Sequence, residues 1–224
     1  MREHKQHSHI PLWLGNESLK DKTILIYAEQ GYGDTIQFCR YLAFLEKQGA
    51  TIIFEVQKSL VDLMKTLKPR IHVVEKNISR IHQHFGHIDF QCPIMSLPLA
   101  FRTTLETIPN STPYLFADKN KLARWRNKLN EASKLRGYNL KPFRVGITWN
   151  GSGHYAGKRN TKRDMAIDEI ASLINEFNST EIEFHSMQVE IQKNEVLRDL
   201  VGNNFFIHDS MLRTFSDTAA LMGQ

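Results

Sequence analysis

The sequence predicts an α/β protein in two parts, each with a parallel β-sheet. Short runs of apolar, mostly β-branched residues alternate with segments whose apolar residues recur at helical spacing. Strands that alternate with helices form βαβ units, in which neighbouring strands run parallel. The order of strand, glycine-bearing loop, helix and strand occurs twice, beginning near residues 23 and 143. We therefore expect a first domain over residues 13–118 and a second over 142–224.

Composition and charge exclude several classes of protein. Of the 224 residues, 41% are hydrophobic, which is enough for a packed core and too many for a disordered chain. The net charge is +5, and the basic residues do not form a block with interleaved aromatic side chains. We therefore expect no nucleic-acid partner, while the positive charge suits an anionic substrate.

The start of the chain and its cysteines bear on location. No apolar run approaches the ~18 residues of a membrane span, and residues 1–15 lack the apolar core of a signal peptide. We expect a cytoplasmic protein without a membrane span, in which residues 1–12 form a disordered N-terminal tail. Cys39 and Cys92 are too few for a disulfide framework and are interpreted as small buried residues. The histidines of the tail have no cysteine partners, so we expect no metal site.

The first domain contains four strand segments and two helices. The strand segments are short and apolar: TILIYA, TIIFEV, HVVEK and HIDFQCP. Between the first two, TIQFCRYLAFLEKQG has apolar residues at helical spacing, and Gly49 ends that helix. SLVDLMKTLK is the second helix, with Ser59 as its expected N-cap. Together these elements predict the first parallel sheet.

A charged helix connects the two domains. Pro109 and Pro113 interrupt regular structure, and a connecting helix with alternating charge is expected within residues 119–141. The second domain then repeats the alternation of strands and helices: FRVGIT, AIDEIASLINEF, EIEFHSMQ, NEVLRDLVG, NNFFIHD and SDTAALM. Its last helix has only begun when the chain stops at Gln224, so we expect this domain to be partial.

The first glycine loop, AEQGYGDTIQF, is the strongest chemical signal. It lies at the carboxyl end of the first strand, where open α/β sheets bind ligands. Its spacing does not match a dinucleotide fingerprint, and no lysine follows as in a P-loop. The carboxylate of Asp34 suits a general base that takes a proton from a hydroxyl; alternatively, it caps the helix while Gly31 and Gly33 form a tight turn. Both interpretations stay open.

The second glycine loop runs from Thr148 to Met165 and is basic. Because it follows a strand and precedes a helix, this loop is placed to hold a phosphate or diphosphate with its basic residues Lys158, Arg159, Lys162 and Arg163. Trp149 ends the strand beside this loop and is a candidate for stacking on a ligand. The alternative is a long solvated loop, and position rather than charge count favours anion binding.

The stretch that begins PLWLGNESLKDKTILIYAEQGYGDTIQF resembles the C-terminal region of bacterial tetratricopeptide-repeat proteins. That region is similar to glycosyltransferase family 9, the heptosyltransferases, which have the GT-B architecture. Further segments match landmarks of the family in the same order: IDFQCPIMSLPLAF, IPNSTPYL, RVGITWNGSG, FHSMQ and FSDTAALM. The resemblance implies a complete Rossmann-like domain on the acceptor side and a truncated Rossmann-like domain on the donor side.

The resemblance also implies a function. The family transfers a sugar, such as a hexose or heptose, from a nucleotide-sugar donor to a hydroxyl of a glycan or protein acceptor. Asp34 matches the aspartate that is proposed as the general base of the family. The implied substrate-binding residues around it are Glu29, Gln30, Gly31, Gly33 and Gln37. The implied donor-phosphate residues are Trp149, Lys162 and Arg163, and no metal or other cofactor is implied.

Departures from the family pattern bear on activity. Asp164 stands where a serine is usual, Val189 stands where a basic residue is usual, and no tetratricopeptide repeats precede Trp13. We expect a fragment that is weak or inactive alone, with a second chain supplying the missing C-terminal segment. The alternative is a non-catalytic binding or interaction module, or a remnant of a tetratricopeptide-repeat glycosyltransferase.

Overall fold

The chain forms two compact units, Met1–Phe116 and Ala117–Gln224. The computed structural model describes residues 7–29, 31–67, 71–76, 81–135, 142–151, 154–155, 158–159, 164–177, 181–188 and 204–224. The division lies close to the expected end of the first domain at residue 118. Among the described residues, no helix is both long enough and apolar enough to cross a membrane.

The first unit is built on a four-stranded parallel sheet. Its strands are β1 (Thr23–Tyr27), β2 (Thr51–Val56), β3 (Ile71–Glu75) and β4 (Phe90–Pro93), in the order β3-β2-β1-β4. All four predicted strands are therefore confirmed. The two central strands are almost wholly buried, which explains their mostly apolar sequence; the buried Glu55 of β2 is an exception and lies 3.4 Å from His7 Nε2.

The helices of the first unit are short. After β1, α1 (Tyr32–Phe38), a 3-10 turn (Cys39–Tyr41) and α2 (Leu42–Lys47) follow one another directly. Gly49, with φ of +82°, ends this segment as predicted. The remaining helical elements of the unit are 3-10 Lys58–Leu60, α3 (Val61–Met64), α4 (Ile81–Phe85), 3-10 Ile94–Ser96, α5 (Leu97–Ala100) and 3-10 Leu105–Thr107.

Two local expectations for this unit are wrong. Ser59 is not an N-cap, because a 3-10 turn precedes α3 and places Ser59 inside the helical segment. The disordered tail is also wrong for residues 7–12. Ile10 is buried in the core beside Leu25 and Ile53, and the following segment runs along β4, with a backbone bond from Gln91 N to Pro11 O of 2.8 Å. Burial of Ile10 thus anchors this segment to the core of the first unit.

In its described residues, the second unit contains a three-stranded parallel sheet and three α-helices. The sheet has the order β5 (Phe143–Ile147), β8 (Ile182–Ser186) and β9 (Phe205–Phe206), and a small antiparallel pair is formed by β6 (His154–Tyr155) and β7 (Lys158–Arg159). The helices are α6 (Lys119–Leu135), α7 (Ile167–Glu176) and α8 (Phe215–Met222). The predicted helix NEVLRDLVG lies outside the described residues.

The connecting helix is part of the second unit. Trp125 and Leu129 of α6 share a buried cluster with Ala220 and Leu221 of α8. The N-terminal ends of these two helices are also in contact, since Lys121 Nζ lies 2.8 Å from a carboxylate oxygen of Asp217. Helix α6 is therefore a packed element of this unit.

Candidate functional site

The predicted base, Asp34, lies in the first turn of α1, just beyond the carboxyl end of β1. Its side chain is partly exposed and leans over Gly31, so that a Cβ placed on Gly31 would stand 2.8 Å from Asp34 Oδ2. Gly33, by contrast, has open space where a Cβ would be. Gly31 is therefore needed for the position of the carboxylate, whereas Gly33 is not.

Glu29 connects the loop to a neighbouring turn. Its carboxylate accepts a hydrogen bond from the backbone N–H of Met95 at 3.1 Å, and its backbone oxygen accepts one from Lys76 Nζ at 3.3 Å. On the other side of the loop, Thr35 Oγ1 donates to Gly31 O at 3.1 Å and to Gln57 Oε1 at 3.2 Å. These bonds hold the loop against the carboxyl ends of the strands, so Glu29 has a structural partner already.

Burial and charge set the protonation of the groups beneath the loop. Burial, with the negative charges of Glu29 and Glu55 nearby, raises the pKa of Tyr27 to about 12. Burial also raises the pKa of both Cys39 and Cys92 to about 12, which agrees with their interpretation as inert buried residues. None of these three groups carries charge at neutral pH.

A cavity of about 480 Å³ lies beside the helical segment that follows Asp34. It is lined by Gln37, Phe38, Arg40, Tyr41, Pro98, Thr103, Thr104, Leu105 and Ile108. Gln37 is the predicted site residue that faces this cavity. Asp34 is not in its wall, but lies one helical turn before Gln37 and Phe38. Gln30 lies outside the described residues.

Arg40 is the cation of this wall. Its guanidinium lies 4.9 Å from the ring centre of Tyr114, donates to the Tyr114 hydroxyl at 3.2 Å and donates to Gln37 O at 2.8 Å. Neither Arg40 nor Thr103 is among the candidate residues predicted from the sequence. Arg40 follows Gln37 by three residues and so shares its helix face, which is a usable signal, whereas nothing in the sequence pattern indicates Thr103.

In the second unit, the loop after β5 is held by side-chain bonds. Gln188 Oε1 accepts from Thr148 Oγ1 at 2.9 Å and from Asn150 N at 3.4 Å. Gly151 N donates to Asp164 Oδ1 at 3.3 Å, which gives that carboxylate a place in the loop. Lys162 and Arg163, the predicted phosphate ligands, lie outside the described residues.

Trp149 lies in the core of the second unit. It is 7% exposed, and its ring centre is 6.5 Å from that of Phe205. The same cluster includes Ile170 and Ile174 of α7. This burial favours a packing role, and stacking on a ligand stays a prediction.

The opposite face of the second sheet carries buried charge. Glu183 accepts from Ser133 Oγ at 2.9 Å and from Arg144 Nε at 3.2 Å. Next to it, His185 Nδ1 lies 3.0 Å from His208 Nε2. Burial, together with the charges of His185 and Lys128, lowers the pKa of His208 from 6.5 to about 3. Part of this cluster, including His185, lines a cavity of about 460 Å³.

Within the described part of the chain, no group of three His, Cys, Asp or Glu side chains is arranged to hold a metal ion. The carboxylate of Glu183 lies beside the histidine pair of the second unit and is bonded to Arg144 and Ser133.

Comparison with known proteins identifies the fold. No protein-family model matches the chain, and no curated protein matches its sequence. Among solved structures, the glycosyl transferase family 9 protein from Veillonella parvula DSM 2008 is similar, with a TM-score of 0.65 at 12% identity over 92% of this chain and 74% of that one. The iron-containing dodecameric glycosyltransferase TibC from enterotoxigenic E. coli H10407 gives 0.46 at 10% identity, over 91% and 57%. The first match shows that this α/β fold, with two Rossmann-like parts, resembles that of glycosyltransferase family 9.

Proposed function

We propose that this chain is a glycosyltransferase-like protein that transfers a sugar from a nucleotide-sugar donor to an acceptor hydroxyl. The observation that carries the proposal is the position of Asp34. It is a partly exposed carboxylate at the carboxyl end of β1, within a fold that resembles glycosyltransferase family 9. The substrate is expected to be a hexosyl or heptosyl donor, and the acceptor a glycan or protein hydroxyl.

Asp34 acts as general base in this proposal. Its carboxylate accepts the proton of the acceptor hydroxyl, and the oxygen then attacks the anomeric carbon of the donor. The bond from that carbon to the nucleoside diphosphate breaks, and the diphosphate leaves with the electron pair. A base placed in this way contributes roughly 10²- to 10⁴-fold to the rate. Gly31 supports this role because its lack of a Cβ leaves room for the carboxylate.

The donor is proposed to bind the second unit, at the loop after β5. Lys162 and Arg163 are assigned there as the cations that stabilise the leaving diphosphate. The bonds of Gln188 to Thr148 and Asn150 support this assignment, because they fix the backbone at the start of the loop. No metal or other cofactor is part of the proposal.

Calorimetry with nucleoside diphosphates tests the donor assignment. UDP, GDP and ADP are titrated separately into the purified chain, into a Lys162→Ala/Arg163→Ala variant, and into a Lys65→Ala/Arg126→Ala control that removes two charges elsewhere. We expect one nucleotide to bind at or below millimolar concentration, and the first variant to weaken it at least ~10-fold while the control does not. The absence of binding heat with every nucleotide at millimolar concentration would contradict the assignment of the donor site.

Transfer itself is tested by product detection. The chain is incubated with each nucleotide-sugar and an acceptor mixture, and nucleoside diphosphate release is compared with and without acceptor. Acceptor-dependent release supports the proposal, even when slow. If no donor gives nucleoside diphosphate release although nucleotides bind measurably, the result would contradict transfer and favour a binding protein.

A non-catalytic binding module is the second candidate. The position of Asp34 in the first turn of α1 favours this candidate, because a negative charge there stabilises the N-terminus of the helix. Glu29 is likewise committed to the amide of Met95. In that case Asp34→Asn lowers the stability of the first unit and leaves ligand affinity unchanged.

A further inference from the structure

The wall of the cavity beside α1 is mostly apolar, whereas a sugar needs many hydrogen-bonding partners. Five of its nine lining residues are hydrocarbon or aromatic: Phe38, Tyr41, Pro98, Leu105 and Ile108. Its volume of about 480 Å³ is that of a pocket for a small organic molecule. Leu105 is 85% exposed at its edge, which leaves a large apolar side chain without cover. This wall is suited to an apolar group.

The polar groups of the wall are mostly buried or engaged. Thr103 Oγ1 is buried and therefore does not reach the surface of the cavity. Gln37 presents an exposed amide side chain at the cavity. Thr104 Oγ1 is engaged with Thr107, and the Arg40 guanidinium is bonded to the Tyr114 hydroxyl and to the Gln37 carbonyl. The wall therefore offers a ligand few hydrogen-bonding atoms.

These observations disfavour an acceptor made only of sugar rings in this cavity. A sugar carries a hydroxyl on nearly every carbon, and each hydroxyl that leaves water needs a partner. The wall offers few such partners beyond Gln37 and the remaining N–H groups of Arg40. An aromatic or branched aliphatic group needs none, and it would cover Leu105 and Ile108 on binding.

We propose that the cavity binds the apolar part of an amphipathic acceptor, an alcohol whose reacting hydroxyl adjoins an aromatic or branched aliphatic group. The inference rests on the proposed function, because Asp34 lies one helical turn before the cavity wall at Gln37 and Phe38. Residues three and four apart on a helix have Cβ atoms roughly 5–6 Å apart. A group seated on Phe38 therefore brings an attached hydroxyl to the neighbourhood of the Asp34 carboxylate.

A matched pair of glycosides tests the inference. Phenyl β-D-glucopyranoside and methyl β-D-glucopyranoside have the same sugar hydroxyls and differ in the group on the anomeric oxygen. Each is titrated into the ¹⁵N-labelled chain, and affinity is read from amide shifts. We expect the phenyl compound to bind at least ~10-fold more tightly, with shifts centred on Gln37, Thr103 and Leu105. Equal affinity of the two compounds would overturn the inference. The absence of binding of either compound at roughly 10 mM would overturn it too, because a dissociation constant above that value corresponds to very weak binding.

Two exposed leucines provide matched variants. Leu105→Ser changes the cavity, whereas Leu99→Ser changes a leucine of α5 that is 70% exposed and is not in the cavity wall. Both side chains are largely in solvent, so neither change endangers folding. We expect Leu105→Ser to weaken binding of the phenyl compound ~5-fold and Leu99→Ser to leave it unchanged. Equal effects of the two variants contradict the inference.

Transfer experiments separate this inference from the proposed function. Binding of the phenyl compound in the cavity without transfer from any nucleotide-sugar supports the inference about the cavity and contradicts the transferase. Equally fast transfer to the methyl and phenyl compounds supports the transferase and contradicts the apolar acceptor. Faster transfer to the phenyl compound, lost in Leu105→Ser, supports both.

Discussion

Mild acid should destabilise the second unit through His208. This imidazole is 3% exposed, lies 3.0 Å from His185 and has a pKa of about 3 against an ordinary value of 6.5. Between these two values the unfolded chain binds a proton that the folded chain does not, so stability rises with pH. From pH 7 to pH 5 the loss is about 2 kcal/mol, since each unit of pKa difference corresponds to about 1.4 kcal/mol. Below about pH 4.5 the carboxylates add their own losses.

The assay is urea unfolding followed by tryptophan fluorescence at pH 7, 6 and 5. Trp125 is a suitable probe, because its ring lies edge-on to His208 with centres 5.0 Å apart. In His208→Gln the amide replaces the hydrogen bond to His185 without a titrating ring. We expect this variant to lose most of the pH slope, while His84→Gln, which changes an exposed histidine, keeps it. A wild-type slope equal to that of His208→Gln would refute the reasoning.

Two further predictions concern the first unit, and thermal or urea unfolding measures both. Gly31→Ala should cost less than about 1 kcal/mol, because the atom that its Cβ would meet at 2.8 Å is the end of the flexible Asp34 side chain, whereas Gly33→Ala, in open space inside α1, should stabilise by up to about 1 kcal/mol. Ile10→Ala should cost about 2–4 kcal/mol because Ile10 is 4% exposed, and Leu12→Ala, at 48% exposed, less than about 1 kcal/mol. Equal effects within either pair would contradict the packing described here.

The strands were predictable because their environment acts on every residue in turn. The central β1 and β2 are buried along most of their length, and such parallel strands are mostly apolar, with Glu55 as the buried exception in β2. A short anchor gives no such pattern. Ile10 begins the brief apolar run IPLWL, and its burial depends on strands that are distant in sequence. So short a run after polar residues predicts a tail, which the structure contradicts.

The candidate site was predictable only in part. The position of Asp34 at the end of β1 follows from local sequence, because strand, glycine loop and helix are consecutive. The cavity wall does not, since it joins Gln37 to Thr103 across distant parts of the chain. Trp149 shows a further limit, as a strand-end tryptophan can face either the core or a ligand. The sequence leaves that choice open.

The central claim is that Asp34 removes a proton from an acceptor hydroxyl. The most direct measurement is the rate of acceptor-dependent nucleoside diphosphate release by the wild-type chain, Asp34→Asn and Asp62→Asn. Asp62 is a matched control, because it also lies in the first turn of a short helix, α3. We predict that Asp34→Asn slows release at least ~100-fold and that Asp62→Asn leaves it unchanged. Release by Asp34→Asn at the wild-type rate would contradict the claim.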